Sequence, residues 1–207
     1  TRLVAVHDHN EAGRVQGLLD QLGRGDDIAL ISDAGTPLIS DPGYRLVAAA
    51  RAAGLRVVPV PGACAAIAAL SAAGLPSDRF IFEGFLPAKT AGRRERLQQL
   101  AGETRTLMFY EAPHRIVECL QDMVAVLGGE RRIVLARELT KTFETVRQYS
   151  LTEMLAWVSA DPDQQRGEIV LVLEGLPEAV GEQDWQEADR VLGILLEELP
   201  VKQAAAL

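Results

Sequence analysis

A chain of 207 residues, 48% of them hydrophobic, can bury one large core or two modest ones, and its length fits one or two domains. No stretch reaches the roughly 18 uninterrupted apolar residues of a membrane-spanning helix, and the opening TRLVAVHDHNE lacks the basic-then-apolar order of an export signal, so no membrane and a cytoplasmic setting are expected. The net charge of −8 argues against a nucleic-acid partner, but residues 89–147 carry 11 Lys and Arg against 8 Asp and Glu, while residues 151–207 carry 3 against 12.

The first half alternates LVAV, a helix over about 10–22, DIALIS, a helix over about 42–53, RVVPV and a small-residue helix over about 63–73. Short apolar runs between amphipathic helices predict a parallel sheet. The pattern breaks between Gly74 and Pro87, read as a hinge. Beyond it come FIFEG, a basic helix over about 91–101, TLMFYE, a helix over about 113–127, RIVLARE, FETVRQYS, a helix over about 151–159 and EIVLVLEG. Two strand signals adjoin near 133–149 with no helix between them, which predicts a sheet mixing parallel and antiparallel neighbours. The expected organisation is an N-terminal α/β domain at 1–77, a hinge at 78–90, a mixed-sheet α/β domain at 91–177 and an acidic helical appendage at 178–207. The chain opens on Thr1 just before LVAV and closes on LPVKQAAAL without a stop signal, so both ends read as cut.

The loop SDAGTPLISDPG at 32–43 directly follows the DIALIS run, where ligands of open α/β sheets bind. Asp33 is the first polar side chain past that run, and Gly35 lets the backbone turn without a Cβ. Asp41 and Pro42 are also a plain helix start. The Pro-Gly turn of PVPGACAAIAAL opens a helix of small residues, whose free N–H groups suit a carboxylate or a polar ligand edge, or which packs tightly for its own sake. FYEAPHR gathers Tyr110, Glu111, His114 and Arg115, from which a general base, an aromatic surface and a cation can be drawn. A helix start at Pro113 with Glu111 favouring its dipole is the plainer account. Arg137 and Lys141 in ARELTKTFET, with Arg93, Arg94, Arg96 and Arg115, supply cations for phosphate contacts or an ordinary solvated surface. His7 and His9 read as surface residues. Cys64 and Cys119 read as reduced thiols, and no Cys and His spacing converges on a metal.

In order, SDAGTPLISDPG, VPVPGACAAIAAL, FEGFLPAKTAGRR, FYEAPHRI, ARELTKTFET and RGEIVLVLEG resemble the bacterial ribosomal RNA small-subunit methyltransferase I family, of the tetrapyrrole-methylase fold class, over about residues 3–175. The resemblance implies two α/β domains with S-adenosylmethionine in the cleft between them, usually in a homodimer. It also implies methylation of the ribose 2′-oxygen of a cytidine in 16S rRNA. Asp33, Gly35, Thr36 and Pro37 would meet the cofactor, joined by Ala63, Cys64, Ala65, Tyr110, Gly167, Glu168 and Ile169; Cys64 stands where related sequences commonly show serine. The resemblance also implies a further strand and small-residue loop ahead of these segments, expected to touch the cofactor and read as missing from the sequence that opens on Thr1. Glu111, His114 and Lys141 are the candidate bases. Tyr110 and Phe109 are the only adjacent aromatics expected in the cleft, which favours ribose over base chemistry. A tetrapyrrole methyltransferase of the same fold and a non-catalytic ribosome-assembly factor are the rival readings.

Overall fold

The computed structural model describes residues 3–7, 10–177 and 182–204. Three helices come first: α1 (Glu11–Gly23), α2 (Tyr44–Ala52) and α3 (Ala65–Ala73). Then follow β1 (Phe80–Phe85), α4 (Thr90–Gln99), β2 (Thr106–Glu111), a 3-10 turn at Pro113–Arg115 and α5 (Ile116–Leu127). Strand β3 (Arg132–Arg137), β4 (Thr145–Ser150), α6 (Leu151–Ala160) and β5 (Ile169–Leu173) complete the body, and α7 (Glu182–Glu198) and α8 (Val201–Ala204) end the chain.

The strands form one sheet in the order β1-β2-β5-β3-β4, with β1 and β2 parallel and every other pair antiparallel. Strand β5 shows how sequence sets this. Its unbroken IVLVL is buried throughout because both faces are covered. Ile169, Leu171 and Leu173 face a core built with Leu97, Ile116, Leu120 and Leu151, while Val170 and Val172 face Ala66, Ala69 and Leu70 of α3. The small residues of α3 let that helix lie close on the sheet, so a helix assigned by sequence to the first domain covers the sheet of the second. Strand β4 passes into α6 without a loop: Ser150 and Glu153 form a capping box, each side chain bonding the other's backbone N–H.

The first half departs from expectation. LVAV, DIALIS and RVVPV run without strand pairing, and among the described residues no backbone hydrogen bond joins any two of them. Leu3, Ile31, Val58 and Val60 stay exposed. A buried strand needs ladder partners as well as apolar side chains, and these runs have none. Their helices are nonetheless tied together, since buried Glu11 of α1 accepts the N–H groups of Arg45 and Leu46 at the start of α2. The interval 78–90, expected as a hinge, instead carries the edge strand β1.

Candidate active site

Parallel β1, β2 and β3 end, and antiparallel β4 and β5 begin, at the same edge of the sheet. A cavity of about 540 Å³ opens there, walled by both halves of the chain. From the first half come Asp33 to Thr36, Ile39 to Asp41, and Ala63, Cys64, Ala65 and Ala68; from the second come Phe85, Tyr110, Glu111 and the segments Leu139–Lys141 and Gly167–Val170.

Specific contacts join these walls. The Thr36 hydroxyl donates to the Ala63 carbonyl at 2.8 Å, fastening the 33–41 loop to the Pro-Gly turn. The Tyr110 hydroxyl accepts the Ala66 N–H at 3.2 Å, so the second half caps the start of α3. Burial raises the Tyr110 phenol above its ordinary value. Ser32 donates to Asp41 at 2.6 Å and accepts the Ala34 N–H, which fixes the loop internally.

Strain concentrates at this rim. The described non-glycine residues with positive φ are Leu38, Ser40, Glu138 and Thr140, all in cavity-lining loops or beside lining residues. Such conformations cost of order 1 kcal/mol each and persist where a site imposes them. Gly167, at φ 80, sits where a Cβ would run into Glu138, whose carboxylate accepts the Glu168 N–H. Lys141 bridges Glu138 at 2.8 Å and Glu168 at 3.0 Å. Its hydrogen bond holds the Glu138 carboxyl below the usual range, and the same pairing raises the lysine.

The residues assigned by sequence to the cofactor converge on this cavity with one exception. Pro37 is not on the wall: with Leu38 at φ 72 and the Ile39 N–H bonded to the Thr36 carbonyl, it occupies the first corner of a turn and shapes the loop from outside. Among the candidate bases, His114 is exposed and off the wall. Lys141 is on the wall but ion-paired, and so held protonated. Glu111 is buried, and its Oε1 takes donors from the Ala112 N–H and from Arg115 Nε and Nη2, while Oε2 is buried without a partner. Asp33 has a carboxylate with no partner among the described residues.

The basic segment is largely neutralised inside the protein, which corrects its reading as an RNA face. Arg93 is fully buried and pairs with Asp122 at 2.6 Å, joined by Arg94 on the other carboxylate oxygen. Arg96 pairs with Glu83, Arg115 with Glu111, and buried Arg137 bonds Gln164 and Thr145. Among the described residues at 89–147, Lys89 and Arg147 keep free cations. The aromatic reading also changes: Phe109 lies in the core, and the cleft aromatic is Phe85, edge-on to Tyr110 at 5.7 Å.

A cavity of small residues at the edge of an α/β sheet where β1, β2 and β3 end marks a ligand-binding site, and the Tetrapyrrole (Corrin/Porphyrin) Methylases model matches residues 2–155. A second model, the RsmI C-terminal HTH domain, matches residues 182–207, within the segment 178–207 read from sequence as a helical appendage of unknown role. Proteins named Ribosomal RNA small subunit methyltransferase I are similar along the whole chain. The Pseudomonas aeruginosa protein is 63% identical, covering 100% of this chain and 74% of its own length. The Vibrio cholerae protein is 58% identical, covering 100% and 72%. The chain thus belongs to the tetrapyrrole methylase family and, within it, to the ribosomal RNA small subunit methyltransferase I group. Among solved structures, the methyltransferase CobJ has a TM-score of 0.59 at 22% identity, covering 83% of this chain and 74% of its own. A uroporphyrin-III C-methyl transferase from Thermus thermophilus, complexed with S-adenyl homocysteine, has a TM-score of 0.52 at 19% identity, covering 78% and 72%. These two share the fold. Among the described residues no helix is long and apolar enough to cross a membrane, and no cluster of His, Cys, Asp and Glu could hold a metal.

Proposed function

We propose that this protein transfers a methyl group from S-adenosylmethionine to the ribose 2′-oxygen of a cytidine in 16S rRNA of the small ribosomal subunit, acting in the cytoplasm as a homodimer. The observation that carries this reading is the two-sided cavity in a chain 63% identical to a named ribosomal RNA methyltransferase. Its size suits a nucleoside-sized ligand. Of the carboxylates that line it, Glu111 is offset by Arg115 and Glu168 by Lys141, while Asp33 and Asp41 have no cation beside them among the described residues, a balance that favours a positively charged donor. The donor supplies an activated methyl on a sulfonium, and the protein supplies alignment.

Within that reading, Gly35, Ala63 and Ala65 admit the ligand closely, the N–H groups at the start of α3 offer donors, and Asp33 holds the cationic end. Tyr110 and Phe85, edge-on to each other, provide an aromatic wall. In-line displacement is accelerated chiefly by holding oxygen, carbon and sulfur in register. Neither His114, off the wall, nor Lys141, held protonated, serves as base.

Labelled methyl transfer to isolated small subunits, followed by digestion to nucleosides and mass spectrometry, tests this reading. The added mass is expected on the sugar of one cytidine. Mass on a base would replace the ribose assignment, and transfer to uroporphyrinogen but not to subunits would favour the tetrapyrrole reading.

A further inference from the structure

We infer that Phe143 is a stacking platform for a nucleobase of the RNA strand entering the cavity, beside the nucleotide that is methylated; this rests on the function proposed above. Phe143 is 71% exposed on the loop between β3 and β4, whose earlier residues Leu139 to Lys141 form part of the cavity wall. The loop has no slack. The Thr140 N–H donates to Glu144 at 2.7 Å, the Lys141 N–H to the Glu138 carbonyl at 3.0 Å, and the Glu144 N–H to the Lys141 carbonyl at 3.1 Å. The Thr145 hydroxyl donates to the Phe143 carbonyl, and Glu138 and Thr140 hold positive φ. Polar groups around the phenyl ring are thus satisfied within the loop, and the ring is left to solvent on a fixed backbone. A rigid aromatic face costs little further entropy to engage.

Charge leads to the same partner. Arg93 and Arg115 are held in buried ion pairs and the half-exposed Arg94 and Arg96 are also paired, so among the described residues at 89–147 only Lys89 and Arg147 remain as free cations for phosphates, and stacking supplies grip that these few charges do not. Stacking on aromatic side chains does this without strong sequence preference. Phe85, 53% exposed, lines the same cavity at the end of β1. Strands β1 and β4 are opposite edges of the five-stranded sheet, Phe85 ending the first and Phe143 just preceding the second, so they belong to opposite margins of a sheet roughly 19 Å wide at the usual strand spacing. A few extended nucleotides cover that span, with the target between them.

The test compares wild type with Phe143→Ala, Phe143→Leu and Phe143→Trp for methyl transfer to isolated small subunits, with sedimentation and calorimetric titration of S-adenosylmethionine alongside. Alanine and leucine are expected to lower kcat/KM roughly tenfold, mainly through KM for subunits, while tryptophan restores it. Donor affinity and association state should not move. An unchanged KM in Phe143→Ala, leucine acting as well as phenylalanine, or activity lost together with dimer formation would each overturn the inference. Wild type inactive on subunits would instead remove the functional reading beneath it.

Discussion

The two halves of this chain carry similar sequence signals and meet different ends. In the second half, TLMFYE, RIVLAR and IVLVL pair into a sheet buried on both faces, by α4, α5 and α6 on one side and α3 on the other. In the first half, DIALIS and RVVPV are as apolar but run unpaired, with Ile31 and Val60 at 75% and 84% exposure. Apolar side chains recruit a strand to a core only where neighbouring backbone completes its hydrogen bonds. The cavity joins the two regimes: one wall is the edge of a rigid sheet, the other a set of loops held by single contacts.

The sharpest test of the rigid half is Asp122→Ala, which removes the buried carboxylate at 2.6 Å from Arg93 and leaves that guanidinium only the longer Glu118 contact at 3.6 Å and the bonds to Ala88 and Thr90. It should cost about 3–5 kcal/mol in urea unfolding. A loss under 1 kcal/mol would mean that water reaches Arg93 and that α4 and α5 are not locked by this pair. Next comes Gly167→Ala at the rim, where strained φ and collision with Glu138 should cost about 1–3 kcal/mol and distort the wall beside Glu168. Full retention of both stability and donor affinity would show the rim to be plastic. In the first half, Glu11→Ala removes the acceptor at the start of α2 and should cost about 1 kcal/mol, read as faster amide exchange of Arg45 and Leu46. Unchanged exchange would mean that this cap does not hold the looser half. The smallest effect is electrostatic: Arg105 holds half-buried Glu103 down to about 2, so the contribution of this pairing is present above the unfolded carboxyl value and is lost as pH falls through about 2. NMR titration of Glu103 near an ordinary carboxyl value would contradict it.

Much of the second half was legible from its residues. The mixed sheet followed from RIVLARE and FETVRQYS adjoining without a helix, and those segments are antiparallel β3 and β4. Arg93 was misread because its partner Asp122 lies 29 residues on, across a helix-helix contact that no local spacing reveals. The wall formed by Ile39, Phe85 and Leu139 was equally hidden, being assembled by the fold from ordinary apolar residues. A signal did exist for Pro37: proline ahead of a turn shapes backbone more often than it lines a site. The failure of the first-half sheet could not be read from side-chain pattern alone, because pairing partners are a property of the assembled backbone.

The central claim is that loops of the first half and strand ends of the second make one donor-binding cavity. Calorimetric titration of S-adenosylmethionine into wild type and Asp33→Ala tests it most directly, since Asp33 belongs to the looser wall and has no side-chain partner to lose among the described residues. Affinity should fall at least a few-fold in the variant with unfolding unchanged, through the lost acceptor at the ligand. Equal affinity for both proteins would contradict the account and leave the donor on the sheet edge alone.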